Sequence, residues 1–229
     1  MHSPVHSPRR DPEQAVSKKI MAKSPISFVT YSGRSCRTLF VGDIHGCADE
    51  LEKLITLAEP EEIVLVGDLF TKGPNPLGVW DLVQRYNPLC VMGNHETFML
   101  KQARKKPYKY PKALIDWIQQ LPYAIRTERW LTIHAGLNPF APSLTSHREA
   151  TLMRRWPNEH NENNPFWWKL YKEKPLVIYG HDARRGLKDR RPWSLGLDSG
   201  CVYGGQLTGY LLEEDMLLSV PAKKIYQPI

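Results

Sequence analysis

Thr38-Leu39-Phe40-Val41-Gly42-Asp43-Ile44-His45-Gly46 is the stretch from which the fold can be read. Thr38 to Val41 predicts a strand, and Gly42 and Gly46 bracket an Asp and a His where that strand must stop. Asp43 and His45 are two apart, so an extended segment points both side chains to one side, and the flanking glycines remove side chains that would crowd them. The pattern recurs downstream. The apolar run Ile63 to Val66 ends in Gly67-Asp68, and Leu89 to Met92 ends in Gly93-Asn94-His95-Glu96. Between these runs, Leu51, Leu54, Ile55 and Ala58 fall on one helix face. Asn75-Pro76 reads as a helix cap and first turn ahead of a buried stripe of Val79, Leu82, Val83 and Tyr86. This βαβαβ opening predicts an α/β layered fold with the motifs gathered at one edge of a sheet.

Further along, Lys101 to Gln120 reads as two helical pieces broken around Pro107 and Pro111, the second with Leu114, Ile115, Ile118 and Leu121 on one side. Trp130 to Ile133 is a strand that delivers His134-Ala135-Gly136, and a Trp-rich stretch with little regular pattern follows (Trp156, Trp167, Trp168). Strand signals return at Leu176 to Tyr179, which ends in Gly180-His181, and at Gln206 to Leu212 and Met216 to Pro221. Strands this late suggest a second sheet stacked on the first. Asp198-Ser199-Gly200 is the last of six short motifs spread over the chain. Residues 1–35, rich in Ser, Pro, Arg and Lys, predict an unpacked basic tail ahead of a single domain over 36–229.

With 229 residues, 41% of them hydrophobic, the chain can bury a sizeable core. The net charge is +7, but the first 36 residues hold six basic residues against Asp11 and Glu13, so more than half of the excess sits in the tail. A basic tail on a nearly balanced body argues against nucleic acid as the main partner. The apolar runs are far shorter than the roughly 20 residues of a membrane helix. No secretory apolar core opens the chain, and Cys36, Cys47, Cys90 and Cys201 show no framework spacing. These features predict a cytoplasmic protein with reduced thiols.

The motifs supply the ligands of a two-metal site. Asp43 and His45 would hold one ion, Asp68 can bridge two ions about 3.5–4 Å apart, and Asn94, His134 and His181 would complete the second. Mixed oxygen and nitrogen ligands suit Mn best, with Fe, Zn, Co or Ni as alternatives, and Ca or Mg less well. Any one Gly-Asp or Gly-His is commonplace as a turn. The set is not: of eight histidines, His45, His95, His134 and His181 all sit in Gly-flanked motifs after apolar runs.

In this order the motifs resemble the phosphoprotein-phosphatase branch of the calcineurin-like metallophosphatases, over roughly Thr38 to Val220. The stretches Gly67-Asp68-Leu69-Phe70-Thr71-Lys72-Gly73-Pro74 and Leu197-Asp198-Ser199-Gly200-Cys201-Val202-Tyr203-Gly204-Gly205 are most similar to the bacterial symmetrical diadenosine tetraphosphatases. The resemblance implies a central β-sandwich flanked by helices and the six ligands named above. Thr71-Lys72-Gly73 stands where protein Ser/Thr phosphatases usually carry Asp-Arg-Gly, so the Asp that orients the catalytic His and the Arg that clamps phosphate are both missing. The tetraphosphatases lack that Asp too but normally keep the Arg. Lys72 supplies charge without the bidentate fork.

The implied mechanism is direct, in-line attack by a metal-bridging hydroxide, with no phosphoenzyme. Lys72, Asn94 and one arginine of Met153-Arg154-Arg155-Trp156, assigned to Arg154 over Arg155, neutralise the equatorial oxygens. His95 gives a proton to the leaving oxygen. A serine alkoxide needs such an acid, whereas the terminal phosphate of a nucleotide, with a pKa of about 6, leaves without one. Thr71 therefore tilts the expected substrate towards a phosphoanhydride, diadenosine tetraphosphate split into two ADP. A nucleoside-tetraphosphate cap on RNA is chemically similar. A phosphoprotein phosphatase of the same fold is the alternative, and a binding module without activity the third. Tyr203, the tryptophans and the basic clusters Lys101 to Lys112 and Arg184 to Arg191 are candidates for stacking on adenine or holding distal phosphates.

Overall fold

The computed structural model describes residues 25–32, 36–106 and 109–228. In chain order the elements are β1 (Phe28–Thr30), β2 (Thr38–Val41), α1 (Ala48–Ala58), β3 (Glu62–Leu65), α2 (Pro76–Tyr86), β4 (Leu89–Cys90), α3 (Asn94–Lys105) and α4 (Lys112–Gln119). They continue with β5 (Ala124–Arg126), β6 (Trp130–Ile133), α5 (His147–Leu152), α6 (Trp167–Leu170), β7 (Leu176–Tyr179), β8 (Lys188–Arg190), β9 (Ser194–Gly196), β10 (Gln206–Leu211) and β11 (Met216–Pro221). Five strands form one sheet in the order β11-β10-β2-β3-β4, and six form the other in the order β1-β5-β6-β7-β9-β8.

The strands read as continuous apolar runs because both of their faces are covered. In β2, Leu39 and Val41 pack under α1 and α2, while Phe40 points the other way, into the layer between the sheets with Val64, Trp130, Ile178 and Tyr210. In β6 and β7, Leu131, Ile133, Val177 and Tyr179 turn to the outer face, where Trp167 and Met153 cover them. Trp130 meets Phe40 edge-on with ring centroids 5.1 Å apart. At about 25 cal/mol per Å² of buried apolar surface, this inter-sheet layer is a principal source of stability.

α2 starts as its sequence predicts: the Asn75 side chain accepts a hydrogen bond from the Gly78 N–H at 2.8 Å, and Pro76 occupies the first turn. Val79, Leu82 and Val83 are buried, but Tyr86 is 42% exposed and does not belong to the stripe. Leu114, Ile115 and Ile118 of α4 are buried as expected, and Leu121 lies just past its end, half-buried. α4 follows Pro111, whereas the expected break at Pro107 lies outside the described residues.

Three expectations are corrected. The third strand is only Leu89–Cys90, and α3 begins at Asn94 rather than near Lys101, so the Gly93-Asn94-His95 motif opens a helix instead of closing a strand. The late strands do not make a second sheet of their own. β10 pairs antiparallel with β2 and carries β11 to the edge of the first sheet, and only β7 of the three joins the second. The second sheet gains instead from β1, inside the segment expected to stay unpacked. Phe28–Thr30 pairs in parallel with β5, Ile26 is buried, and the Ile26 N–H donates to the Thr145 carbonyl at 2.8 Å. The remainder of that segment, residues 1–24 and 33–35, lies outside the described residues. No helix among those described is long and apolar enough to cross a membrane.

Candidate metal centre

Two sets of three parallel strands carry the site. β2, β3 and β4 run parallel in one sheet, β6, β7 and β9 in the other, and each delivers one motif from its carboxyl end. In layered α/β folds that edge is where ligands bind. Asp43 follows β2, Asp68 follows β3, Asn94 follows β4, His134 follows β6, His181 follows β7 and Asp198 follows β9. A larger cavity, about 870 Å³, lies beside Tyr31, Arg129 and Trp130 and holds none of these groups. The cavity over the motifs is about 640 Å³ and is lined by Asp43, His45, Asp68, Asn94 and His181, among others.

The loops are locked together by backbone bonds. The His45 N–H donates to the Asp68 carbonyl at 2.8 Å, Gly46 N–H to Leu69 carbonyl at 2.7 Å, and Gly180 N–H to His134 carbonyl at 2.8 Å. His45, Asp68, Lys72 and His181 all have positive φ (48°, 57°, 70° and 71°), a conformation costly for residues other than glycine that concentrates at functional sites. The turn falls at His45–Gly46, so His45 itself leaves the extended backbone assumed from its spacing to Asp43. Gly180 shows why glycine is needed here: a Cβ would sit 1.9 Å from Asp43 Oδ1. Its absence lets the His181 N–H donate to Asp43 at 3.1 Å to each carboxylate oxygen.

Asp68 stands at the centre. Its Oδ2 lies 3.7 Å from His45 Nε2 and 3.9 Å from His95 Nε2, while its Oδ1 lies 3.4 Å from His134 Nε2. The two carboxylate oxygens therefore face two different sets of ligand atoms, His45 and His95 on one side, His134 and His181 on the other. Asn94 Oδ1 joins the second set, 3.0 Å from His134 Nε2 and 2.9 Å from His181 Nδ1.

His134 tests whether a cation fits. Its Nδ1 is 2.8 Å from the Val66 carbonyl, which can only accept, so Nδ1 carries the proton and Nε2 a lone pair. That lone pair looks at the Asn94 amide oxygen and the Asp68 carboxylate, so with Asp68 ionised three acceptors meet with no proton between them. A divalent cation resolves this arrangement, and the backbone carbonyl behind the ring is the usual partner of a metal-bound histidine.

Electrostatics agree. Burial pushes the Asp43 carboxyl well above its ordinary range, helped by the charges of Asp198 and Asp68, and pushes Asp68 up to about 7. Asp198 is raised by burial as well. Burial holds His45 and His181 well below the ordinary imidazole value and lowers His134, so all three favour the neutral, ligand form. Clustered carboxylates with neutral imidazoles make a cage short of positive charge.

His95 differs from the others. Thr71 Oγ1 lies 2.6 Å from His95 Nδ1 and 3.3 Å from His45 Nδ1. An ion at His45 Nε2 would leave the proton on Nδ1, donated to the Thr71 oxygen, and turn the hydroxyl's own proton to His95 Nδ1. His95 would then present Nε2–H to the cavity, as a donor rather than a ligand. Burial first, then the Lys72 and His134 charges, lower its pKa to about 4, so it donates as a neutral ring. The Thr71 hydroxyl lies against His95 where the orienting group looked lost.

The two arginines separate. Arg154 donates to the His181 carbonyl at 3.1 Å and pairs with Glu159 and Asp182 at 3.3 and 3.4 Å. Arg155 turns to the Asn164 carbonyl at 2.5 Å and stacks on Phe166. Lys72 Nζ donates to the Tyr203 hydroxyl at 2.7 Å, close enough to lower the histidines' pKa by its charge.

Two acidic residues escaped the sequence reading of the ligands. Asp198, buried beside Asp43, lay inside a noted motif but was not placed among them. Glu96 is fully buried and accepts the N–H groups of Asp68, Leu69 and Gly93 at 2.7, 2.8 and 3.1 Å, tying α3 to the Asp68 loop. Its position three residues after Gly93 is the signal of a helix-start acid.

The calcineurin-like phosphoesterase family profile matches residues 36–214. The chain belongs to the calcineurin-like phosphoesterases. These are metal-dependent hydrolases, and the two mixed sheets with flanking helices are the fold of the family. Among curated calcineurin-like relatives, a symmetrical bis(5'-nucleosyl)-tetraphosphatase of Dechloromonas aromatica (strain RCB) is 26% identical over 80% of this chain and 95% of its own. An asymmetrical bis(5'-nucleosyl)-tetraphosphatase of Anoxybacillus flavithermus (strain DSM 21510 / WK1) is 29% identical over 81% of this chain and 94% of its own. A solved structure described as a candidate diadenosine tetraphosphatase superposes with a TM-score of 0.81 at 34% identity, covering 86% of this chain and 98% of that one. This calcineurin-like chain is thus similar, over most of its length, to proteins described as diadenosine or bis(5'-nucleosyl) tetraphosphatases.

Proposed function

We propose that the protein hydrolyses dinucleoside polyphosphates at a two-ion centre, with diadenosine tetraphosphate, cut into two ADP, as the preferred substrate. The observation that carries this reading is the placement of Asp68, whose two oxygens face separate histidine sets at 3.4–3.9 Å. Asp43, His45 and Asp68 would hold one ion, and Asp68, Asn94, His134 and His181 the other. Two divalent ions, Mn by the mixed oxygen and nitrogen donor set, would supply water activated near neutral pH and charge to offset the phosphate.

The chain's own groups do the rest. Lys72 and Arg154 flank the cavity and offset charge on the equatorial oxygens, and Asn94 stands beside them. His95 Nε2–H hydrogen-bonds the leaving oxygen without having to transfer a full proton. A leaving ADP carries a phosphate of pKa about 6 and departs as the anion, so a neutral donor suffices. An alkoxide would need a charged acid, which an imidazole with a pKa of about 4 is not at neutral pH.

The test is product analysis with Mn on diadenosine tetraphosphate, phosphotyrosine peptide and phosphoserine peptide side by side. ADP as sole product supports the proposal. ATP plus AMP would move the attacked phosphorus and match the asymmetrical relative. Faster turnover of either peptide would replace the dinucleotide reading with a protein phosphatase.

A further inference from the structure

The cavity is lined by five long cationic side chains, and four are already engaged. Lys72 donates to Tyr203, Arg154 holds Glu159, Asp182 and the His181 carbonyl, and Arg155 holds the Asn164 carbonyl against Phe166. Arg185 pairs with Asp182 at 2.8 Å and lies 4.5 Å from the Phe166 ring centroid. Arg184 lines the same cavity, is exposed, and has no hydrogen-bond or ionic partner among the described residues.

The loop that carries Arg184 is nevertheless fixed. Ala183–Arg185 forms one tight helical turn directly after His181 and Asp182. Asp182 is buried and takes Arg154 and Arg185 from two sides. Lys188, also buried, reaches up to donate to the carbonyls of Asp182 and Gly186 at 3.2 and 2.6 Å. The loop is thus tied from below, and its one unpaired charge is at the cavity. Lys72 and Arg154 are committed to the reacting phosphoryl group, and drawing Arg155 or Arg185 to an anion would cost the bonds they now make, whereas Arg184 has none to give up. Of the two acids on the rim, Glu159 is neutralised by Arg154, and Glu162 repels phosphate on its own side.

We infer that Arg184 binds the non-reacting phosphates of a polyphosphate chain, the groups next in line after the phosphorus held by Arg154. This rests on the dinucleoside polyphosphate reading. Arg184 is more exposed than Arg154, and its planar fork matches adjacent phosphate oxygens two at a time. A substrate with a single phosphoryl group would not reach it.

The experiment compares wild type with Arg184→Gln and Arg184→Lys on diadenosine tetraphosphate and on p-nitrophenyl phosphate, with free Mn held constant. Tripolyphosphate is also tested as a competitive inhibitor of the second reaction. For Arg184→Gln, the KM ratio of dinucleotide to monoester is expected to rise about tenfold, the scale of one lost charge-assisted hydrogen bond, with the inhibition constant of tripolyphosphate rising alike. Arg184→Lys should recover part of both. Equal KM changes for the two substrates, or an unmoved tripolyphosphate constant, overturn the inference. If wild type does not cleave the dinucleotide at all, the proposed substrate fails, and the tripolyphosphate constant still decides Arg184 on its own.

Discussion

Replacing Asp68 with Asn should stabilise the metal-free protein while abolishing turnover. Burial lifts the Asp68 carboxyl from 3.8 to about 7. A group whose folded pKa lies above its unfolded value favours folding only when protonated, so its contribution is intact below the unfolded pKa and is lost as pH rises through about 7. A shift of roughly three units at 1.36 kcal/mol each makes the ionised carboxylate cost about 4 kcal/mol at pH 8 and almost nothing below pH 4. Asn keeps the amide-side acceptor for the His95 N–H, which Asp68 Oδ1 now takes at 2.9 Å, and removes the charge. The Asp68 charge also raises the Asp43 and Glu96 carboxyls, so its removal eases their ionisation and adds to the variant's advantage. Urea unfolding followed by tryptophan fluorescence, in chelator at pH 5 and pH 8, should show a stability gap that favours the variant and widens with pH. In excess Mn the order should reverse, because ions that bind only the folded wild type stabilise it by mass action. Equal stabilities at pH 8 in chelator, or a gap indifferent to pH, would refute the claim that Asp68 is a strained anion awaiting cations.

Thr71→Val, nearly isosteric, removes the hydroxyl between His45 and His95; kcat at saturating Mn should fall about tenfold, the upper value of one hydrogen bond, and Thr71→Ser should restore it. An unchanged kcat would show that the hydroxyl does not position His95. Gly180→Ala would drive a methyl into Asp43 Oδ1 from 1.9 Å, so bound metal measured by mass spectrometry should drop below the wild-type stoichiometry, and full occupancy would contradict the placement of Asp43. Single-turnover hydrolysis in ¹⁸O-labelled water should put the label directly on product phosphate. Trapping a phosphorylated side chain would rule out direct attack.

What the sequence made legible followed from burial. Strands covered on both faces, such as Leu39 to Val41 and Val177 to Tyr179, must be apolar throughout, and the close approach of their ends demands glycine beside the ligands, so both strand and motif stand out. Elements held by partners distant in sequence did not stand out. Phe28–Thr30 is a strand only because β5 lies beside it, and β8 reads Lys188-Asp189-Arg190, a polar edge with no periodicity to betray it. β10 shows itself as a strand, but nothing in its residues says that it pairs with β2 rather than β7. At the site, Asp43, His45, Asp68, Asn94, His134 and His181 lie together around one cavity. The Thr71 hydroxyl was misjudged because its value depends on two rings 26 and 24 residues away.

Thr71 also explains how one scaffold could suit different leaving groups. A carboxylate at this position would accept a proton from His95 Nδ1 and, by its charge, favour the imidazolium, the acid that an alkoxide leaving group needs. A hydroxyl reverses the polarity of that bond: it donates to Nδ1, leaves the ring neutral and still aims Nε2–H at the cavity. The same oxygen would receive the proton of His45 Nδ1, so a ring that faces ions and a ring that faces the leaving group would share one atom of support. Metal affinity and leaving-group assistance should therefore move together when Thr71 changes, since a hydrogen bond behind a metal-binding histidine commonly governs a ten- to hundredfold range in affinity. A substrate whose leaving group departs unaided tolerates that economy, and a phosphoanhydride is such a substrate.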